Sequence, residues 1–299
     1  MSLERSAPWG PIPVADAHAH FFSHHFFSLI KPGGTPEETA SQLGWQAPPE
    51  DPEKLAAVWA HELDRHGVAH SALIASIPGD EASVAAAVRA FPDRFFGYAM
   101  INPTSEWRPA DLADIHVACL FPAMQRYSIQ SSEARQVFEW AKENERSVFV
   151  HCGVLSVGIR KRLGLPSPFD MRFSNPIDLH AVALSYPTVP VIVPHFGAGY
   201  FREALMLADL CPNVYLDTSS SNSWIRYQES HLDLRQVFRR ALDVVGPQRL
   251  LFGTDSSFFP RGWHHQIFDE QAKALYEIGL SEADAKAIFS ENLLRIIQR

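Results

Sequence analysis

The chain has 299 residues, of which 46% are hydrophobic and 20% charged, and this balance excludes a disordered, collagen-like or disulfide-scaffold protein. Its 34 acidic and 26 basic residues give a net charge of −8, which argues against a nucleic-acid-binding surface because such a surface needs a basic field. Three cysteines are typical of reduced thiols, and no apolar run has the length of a membrane span or a signal peptide. We therefore expect a cytoplasmic protein that does not enter a membrane.

Short apolar runs that predict β-strands alternate with longer stretches of helical periodicity. The predicted strands are Pro13–His18, Ser71–Ile77, Arg94–Ile101, His116–Phe121, Ser147–His151, Pro190–His195, Asn213–Asp217 and Arg249–Thr254. The predicted helices are Pro52–His66, Glu81–Phe91, Ser131–Glu143, Pro176–Tyr186, Tyr200–Leu210, Leu232–Val245, His264–Ile278 and Ser281–Ile297. The third and fourth strands lack an obvious helix between them, and Thr104–Asp114 is the stretch that could supply a short one. Strands that alternate with helices run parallel, and eight of them predict an α/β fold of the TIM (β/α)8 barrel type. An open, doubly wound sheet is the alternative.

No internal repeat and no linker rich in glycine and serine divides the chain, so we expect a single barrel domain over residues 1–299. Three long insertions interrupt the alternation near residues 21–51, 153–175 and 218–231, and each begins where a predicted strand ends. In a barrel, loops that follow the strands lie on the face that carries active sites. We therefore expect the insertions to act as lids or pocket walls.

The first strand carries the sequence Asp16-Ala17-His18-Ala19-His20. Side chains alternate along a strand, so His18 and His20 are predicted to share a face with Cα atoms about 6.6 Å apart, close enough to bind one metal ion. The same alternation places Asp16 on that face, where it could hydrogen-bond to a ligand. Two surface histidines are the alternative for the motif taken alone.

Three further polar residues directly follow apolar strands, namely His151, His195 and Asp255. A lone histidine in such a place is usually a hydrogen-bonded core residue. Four histidines and one aspartate in equivalent places would each need a separate buried partner, whereas a shared metal ion satisfies all five. The pattern therefore predicts a metal site at the C-terminal face of the strands.

Five motifs in this order resemble the amidohydrolase superfamily, and most closely its amidohydrolase-2 branch, which contains aminocarboxymuconate-semialdehyde decarboxylase and related decarboxylases and lactonases. The motifs are Asp16–His20, Phe149–Gly153, Pro194–Gly197, Leu250–Asp255 and Glu291–Arg295. Each motif is weak by itself, but the ordered set covers essentially the whole chain.

The resemblance implies a distorted TIM barrel with one divalent ion, usually Zn²⁺, with Mn²⁺ or another divalent ion as the alternative. By motif position, His18, His20, His151 and Asp255 would be the ligands, and His195 would lie beside the ion. Reasoning from the residues alone leaves open whether His151 or His195 binds directly. Binuclear relatives carry a bridging lysine or glutamate at the end of strand four, where this chain has neither, so one ion is expected.

The substrate is expected to be a small anion, because neutral histidines and one aspartate leave a divalent ion with net positive charge. Arg126 and Arg261 follow strand ends, and a guanidinium suits a carboxylate, although surface salt bridges explain either residue equally well. The basic run Arg160–Arg162 is predicted to be a solvated face. No nucleic-acid or membrane partner is expected, and a homodimer is suggested only by analogy with relatives.

Two enzymatic functions fit these residues. The first is a metal-dependent hydrolase in which a metal-activated water attacks an ester, lactone or amide that carries a carboxylate, with Asp255 passing the proton and His195 stabilising the oxyanion. The alternative is a non-oxidative decarboxylase of an aromatic or unsaturated acid on the same site. A non-catalytic barrel that binds a metal is the third interpretation. The motifs do not choose between the first two.

Overall fold

A computed structural model describes residues 4–31, 33–155, 158–219 and 223–298 of the chain. Its strands are β1 (Glu4–Ala7), β2 (Gly10–Pro13), β3 (Ala15–His20), β4 (His70–Ala75), β5 (Phe95–Ile101), β6 (Val117–Leu120), β7 (Ser147–Val150), β8 (Val191–Val193), β9 (Val214–Asp217) and β10 (Leu250–Leu251). Its α-helices are α1 (His24–Ile30), α2 (Pro36–Leu43), α3 (Pro52–Arg65), α4 (Glu81–Ala90), α5 (Pro122–Gln125), α6 (Ser132–Glu143), α7 (Gly158–Arg162), α8 (His180–Ser185), α9 (Phe201–Leu210), α10 (Leu234–Val245), α11 (His265–Glu277), α12 (Glu282–Lys286) and α13 (Asn292–Ile297).

Strands β3 to β10 form one parallel sheet in sequence order, as crossover helices require. The sheet closes between its first and last strands, where the Asp255 amide donates to the His18 carbonyl at 2.9 Å and the His20 amide donates to the Ser256 carbonyl at 2.7 Å. The eight predicted strands and the TIM barrel are therefore confirmed. Their carboxyl ends meet at one rim, where His18 and His20 lie at the end of β3 and His151, His195 and Asp255 follow β7, β8 and β10.

The apolar residues divide into an interior and an outer layer, which explains why both faces of the strands are apolar. Inside the barrel, Phe149 and Leu251 pack with residues of the neighbouring strands, and Leu293 and Ile296 of α13 close the end opposite the rim. The outer layer packs the strands against the surrounding helices. All three cysteines are free and buried. No described helix combines the length and the apolar character needed to span a bilayer.

Three local features differ from the sequence prediction. An antiparallel hairpin of β1 and β2 precedes the barrel, and its short strands have too little apolar alternation to be recognised. Between β5 and β6 the predicted helix is only a 3-10 turn, Pro109–Leu112. The last predicted helix begins after Ser281, whose side chain accepts from the Asp284 amide, but a π-helical turn at Ala287–Glu291 separates α12 from α13.

Two of the three insertions meet above the rim in a small hydrophobic cluster of their own. This lid cluster consists of Phe26, Phe27, Ile30, Ala40, Leu43, Ile159 and Leu163. It joins α1 and α2, from the insertion after β3, to α7, from the insertion after β7. In the third insertion the described residues include a 3-10 turn at Ser223–Tyr227, whereas positions 220–222 lie outside the described residues.

Candidate metal centre and its cavity

Both histidines of the β3 motif point towards the barrel axis. They do so because the pairing of β3 with β4 has an irregular register. Asp16 pairs with Ser71 of β4 but Ala19 pairs with Leu73, so three steps along β3 match two along β4. Such a bulge interrupts the strict alternation of side chains. The prediction that Asp16 shares the face of the histidines is therefore wrong. Its carboxylate instead accepts from the Trp263 indole at 2.8 Å and from the Thr254 hydroxyl at 2.5 Å, which ties β3 to the segment after β10.

His18, His20 and Asp255 form the one group among the described residues whose donor atoms could share a metal ion, since these atoms lie within 4.8 Å of one another. Asp255 Oδ1 is 3.1 Å from His20 Nε2 and 3.7 Å from His18 Nε2. Ligand atoms about 2.1 Å from one ion in tetrahedral geometry lie about 3.4 Å apart. The observed separations bracket that value, so this donor set fits a divalent ion.

The other nitrogen of each of these imidazoles is held by a polar partner. His18 Nδ1 donates to Asp217 Oδ2 at 2.7 Å. The Ser76 hydroxyl donates to the Ile74 carbonyl, so it accepts from His20 Nδ1, at 2.6 Å. Both hydrogen bonds fix the tautomer that leaves Nε2 free to bind a metal, which is the arrangement usual around metal-bound histidines.

His151 extends the centre from the end of β7. Its ring stacks on Phe121 at a centroid distance of 5.3 Å and lies 5.4 Å from the His195 ring. Its Nε2 atom is buried and has no hydrogen-bond partner among the described residues. A buried polar atom left without a partner is costly, and a metal ion would satisfy it. His151 is nevertheless outside the mutually close group of three.

His195 lies beside this group, with its ring centroid 4.8 Å from that of His18. Its Nδ1 contacts the Ser219 backbone carbonyl at 3.0 Å, and because a carbonyl only accepts, Nδ1 carries the proton. His195 and Asp255 both have left-handed backbone, with φ of 56° and 58°. Residues other than glycine adopt this conformation at a cost and often at functional sites, where it aims a side chain that regular strand geometry would turn elsewhere.

Apart from His18, these groups are in charge states that suit metal binding. Burial favours the neutral form of His18, but the Asp217 carboxylate outweighs it and raises the pKa of that imidazole. Burial lowers the pKa of His151 well below its ordinary value, and the neighbouring His195 and His18 lower it further, so the neutral imidazole is favoured. Burial also lowers the pKa values of His20 and His195. Burial opposes ionisation of Asp255, but the neighbouring imidazoles of His20, His18 and His195 outweigh it and hold the pKa of that carboxyl below its usual range. Neutral imidazoles and a carboxylate are the forms that bind a metal ion.

A cavity of about 540 Å³ opens above the centre, within the range usual for small-molecule sites. The four histidines and Asp255 line it on the barrel side. Phe22, Phe26, Trp45 and Phe121 supply aromatic surface. Residues from the insertions near 21–51 and 153–175 are among those that line the cavity.

The arginines that sequence reasoning selected are not among the residues that line this cavity. Arg126 is exposed and donates to the Pro168 carbonyl at 2.7 Å, and Arg261 donates to the Asp255 carbonyl at 3.1 Å and lies over the Phe258 ring. Their role in substrate binding stays a prediction. Arg160 and Arg162 line the cavity instead, so the expectation of a wholly solvated face was wrong. Ile159, packed in the lid cluster, holds α7 across the mouth.

Two polar residues of the centre were not predicted as part of it. Asp217 ends β9 and is fully buried against His18. Its position at a strand end, next to the polar residues Thr218 and Ser219, could have indicated that it belongs to the centre. Ser76 gave no signal, because a serine just after a strand is common in loops.

Comparison with known proteins agrees with this architecture. The model of the amidohydrolase family matches residues 15–297. One curated relative, the protein fluG of Emericella nidulans, is 38% identical over 89 residues, which are 29% of this chain and 10% of fluG. The chain thus matches only about a tenth of the length of that relative.

Solved structures of low sequence identity share the fold. A protein described as a 2-pyrone-4,6-dicarboxylic acid hydrolase, from Pseudomonas putida, is 18% identical with a TM-score of 0.64, covering 96% of this chain and 98% of its own. The 5-carboxyvanillate decarboxylase of Novosphingobium aromaticivorans, complexed with manganese and 4-hydroxy-3-methoxy-5-nitrobenzoic acid, is 14% identical with a TM-score of 0.63, covering 100% and 99%. An amidohydrolase from Burkholderia multivorans with bound zinc is 16% identical with a TM-score of 0.60, covering 96% and 99%. The family match along nearly the whole sequence shows that the chain is an enzyme of the amidohydrolase family.

Proposed function

We propose that the protein is a metal-dependent hydrolase that acts on a small ester, lactone or amide bearing a carboxylate. The observation that carries this proposal is the convergence of His18 Nε2, His20 Nε2 and Asp255 Oδ1 at the barrel side of a cavity, with both Nδ1 atoms already held by Asp217 and Ser76. A site built in this way is prepared for an ion and open to substrate.

The grouped donors of His18, His20 and Asp255 fit one divalent ion, and the buried, unpartnered Nε2 of His151 is the fourth ligand in this proposal. When bound, the ion would supply Lewis acidity, which polarises a substrate oxygen and lowers the pKa of water. Three imidazoles and one carboxylate favour Zn²⁺, although Mn²⁺ accepts similar ligands. The zinc and manganese bound to structural relatives support a divalent ion without deciding between these two.

Asp255 and His195 have different roles in proton transfer at this site. Asp255 is oriented by His20 and offers a second carboxylate oxygen that could take a proton from water and return it to the leaving group. His195 carries its proton on Nδ1, so its neutral form presents an unprotonated Nε2 to the cavity. This tautomer suits accepting a hydrogen bond from the attacking water better than donating one to an oxyanion.

Non-oxidative decarboxylation of an aromatic acid is the second candidate. It is favoured by the aromatic cavity surface of Phe22, Phe26, Trp45 and Phe121, which suits a planar ring. Metal-loaded protein should be incubated with lactones and with hydroxylated aryl carboxylates while ring opening and carbon dioxide release are followed in parallel. Ring opening without carbon dioxide release would support the hydrolase, and the reverse result would replace it with the decarboxylase.

Variants of the ligands test the metal centre itself. His18→Ala and Asp255→Asn should each abolish turnover and reduce metal content, as measured by elemental analysis, while circular dichroism remains that of a folded barrel. His61→Ala is the matched control, because His61 is exposed on α3. Full turnover in either ligand variant would exclude the proposed centre.

A further inference from the structure

The loop that follows β4 contacts both the metal centre and the lid. At its start, the Ser76 hydroxyl accepts from His20 Nδ1 at 2.6 Å. At its end, the Asp80 carboxylate accepts from the Ser23 hydroxyl, with distances of 2.7 and 2.9 Å to its two oxygens. Ser23 is the N-cap of α1, because its hydroxyl oxygen also accepts from the Phe26 amide at 2.9 Å. Asp80 is therefore attached to the beginning of the lid helix.

Asp80 is a fully buried carboxylate whose side-chain partners, in the described part of the chain, are both hydroxyl groups. The first is Ser23, and the second is Ser83 of α4, which donates at 2.6 Å. A carboxylate offers about four acceptor positions, so two hydroxyl donors satisfy its charge incompletely. His25 of α1 and Glu81 of α4 are the charged groups that act on it, but burial is the largest effect and raises the pKa of Asp80 to about 6.

Helix α1 lies over the loop that carries this carboxylate and also forms part of the cavity wall. A Cβ on Gly79 would lie 3.6 Å from Leu29 Cδ1, so α1 packs directly on the loop beside Asp80. On the cavity side, Phe26 and Ile30 of the same helix are lining residues. Movement of α1 away from the loop would therefore expose Asp80 to water and open the cavity wall together.

We propose that Asp80 is a proton-linked latch for the lid, in which protonation of its carboxyl group holds α1 against the cavity and ionisation loosens it. With α1 in place the carboxyl group is desolvated, which disfavours ionisation, whereas displacement of α1 lets water solvate the carboxylate and restores its ordinary pKa of about 3.9. The closed arrangement thus binds more protons. Its advantage is complete below about pH 4, declines as the pH rises to about 6 and then stays constant. The latch controls access to the cavity whichever reaction the site performs.

Hydrogen exchange of α1, followed by mass spectrometry and corrected for the intrinsic rate at each pH, tests this inference. The equilibrium constant for opening of α1 should be about tenfold larger at pH 7 than at pH 5, the factor that follows from pKa values of about 6 and about 3.9. It should not change further at pH 8. The barrel strands are the internal reference, and all samples should contain a chelator, so that loss of a metal ion at low pH does not imitate the effect.

Three variants separate the latch from other sources of pH dependence. Asp80→Asn keeps an oxygen that accepts from the hydroxyls but does not titrate, so exchange of α1 should become independent of pH. Ser83→Ala removes one donor to the carboxylate from α4 rather than from the lid, so it should increase opening of α1 at pH 7 more than at pH 5. This variant tests the latch even if Asp80→Asn does not fold. His25→Gln is the matched control, because it removes the neighbouring imidazole from α1 and should keep the tenfold change.

The inference is overturned by any of four results. These are equal opening of α1 at pH 5 and pH 7 in the wild type, retention of the change in Asp80→Asn, an effect of Ser83→Ala that is the same at both pH values, and loss of the change in His25→Gln. The last result would assign the pH dependence to the imidazole of His25.

Discussion

Asp217 lies outside the proposed metal-binding group of His18, His20 and Asp255, but it fixes the orientation of one member, His18. Its carboxylate is fully buried, accepts from His18 Nδ1 at 2.7 Å and is itself held by the Ser219 amide at 2.6 Å. Close packing leaves little room for adjustment, because a Cβ on Gly253 would meet Asp217 Oδ1 at 2.8 Å and the His18 Cβ at 3.0 Å. The His18 imidazole is therefore fixed in both orientation and tautomer before any ion binds.

We predict that Asp217→Asn weakens metal binding by about 10- to 100-fold, the usual effect of losing a carboxylate behind a ligating histidine. The amide still accepts the hydrogen bond but no longer makes the imidazole more basic. Competition with a chromophoric chelator measures the affinity, and Asp209→Asn, at an exposed position of α9, is the control. An unchanged affinity in Asp217→Asn would contradict this role.

His116 is a titratable residue with a shifted pKa, and it lies far from the residues proposed to bind the metal. Its Nδ1 accepts from the Gly97 amide at 3.1 Å, and burial, with the charge of Arg146, lowers the pKa of His116 to about 4. The unfolded chain keeps the ordinary pKa of about 6.5 and so binds more protons between these two values. The free energy of unfolding should therefore decrease as the pH falls below about 6.5.

This pH dependence is measurable by urea unfolding of the metal-free protein at pH 7 and pH 5. We expect the wild type to lose about 1–2 kcal/mol more than His116→Gln between these values, a figure reduced for the partial exposure of the ring. Glutamine keeps an acceptor near the Gly97 amide but does not titrate in this range. Equal losses in both proteins would show that His116 does not carry this effect.

At the scale of secondary-structure elements, the sequence predicted the parts that follow from periodicity and missed those that depend on contacts. Eight apolar runs predicted the eight barrel strands. The polar residues at or just after their ends, His18, His20, His151, His195 and Asp255, were predicted to lie together because the ends of parallel strands share a rim. Asp16 faces away from the histidines because of a bulge where β3 pairs with β4, and strict alternation of side chains along a strand does not predict such a bulge. The orientation of α7 depends on packing against another insertion, which is remote in sequence.

The contribution of Arg162 to the contact between the two lid insertions can be tested by substitution. Arg162→Ala removes both the hydrogen bond to Leu43 and the contact with Trp45, so α2 and α7 should exchange amide hydrogens faster while the barrel strands keep their protection. Hydrogen exchange followed by mass spectrometry measures both regions in one experiment. Lys161→Ala should leave the pattern unchanged, and a wild-type pattern in Arg162→Ala would mean that the lid cluster holds the insertions by itself.

At the scale of the whole molecule, the residues proposed to bind the metal lie on both sides of the line where the barrel closes. His18 and His20 belong to the first barrel strand and Asp255 follows the last, and few backbone hydrogen bonds join the two. An ion shared by these residues would cross-link the closure. Metal binding should therefore stabilise the complete fold as well as the site.

Removal of the metal by a chelator should lower the melting temperature by about 10 °C, because an ion at a thousandfold excess over its dissociation constant adds about 4 kcal/mol to a protein of this size. Differential scanning calorimetry of the loaded and chelated protein measures the change. Asp255→Asn should melt at nearly the same temperature in both conditions. A chelator effect of equal size in that variant would place the stabilising ion elsewhere.

The closure between β3 and β10 also has a consequence for biosynthesis. A ribosome releases His18 and His20 first, and Asp255 only after seven further barrel strands, β4 to β10, have been made. Nascent chains that stop before that aspartate carry two of the three grouped donors and an open sheet edge beside them. Binding of the proposed ion and closure of the barrel therefore depend on the same late segment, and an interrupted product would lack both.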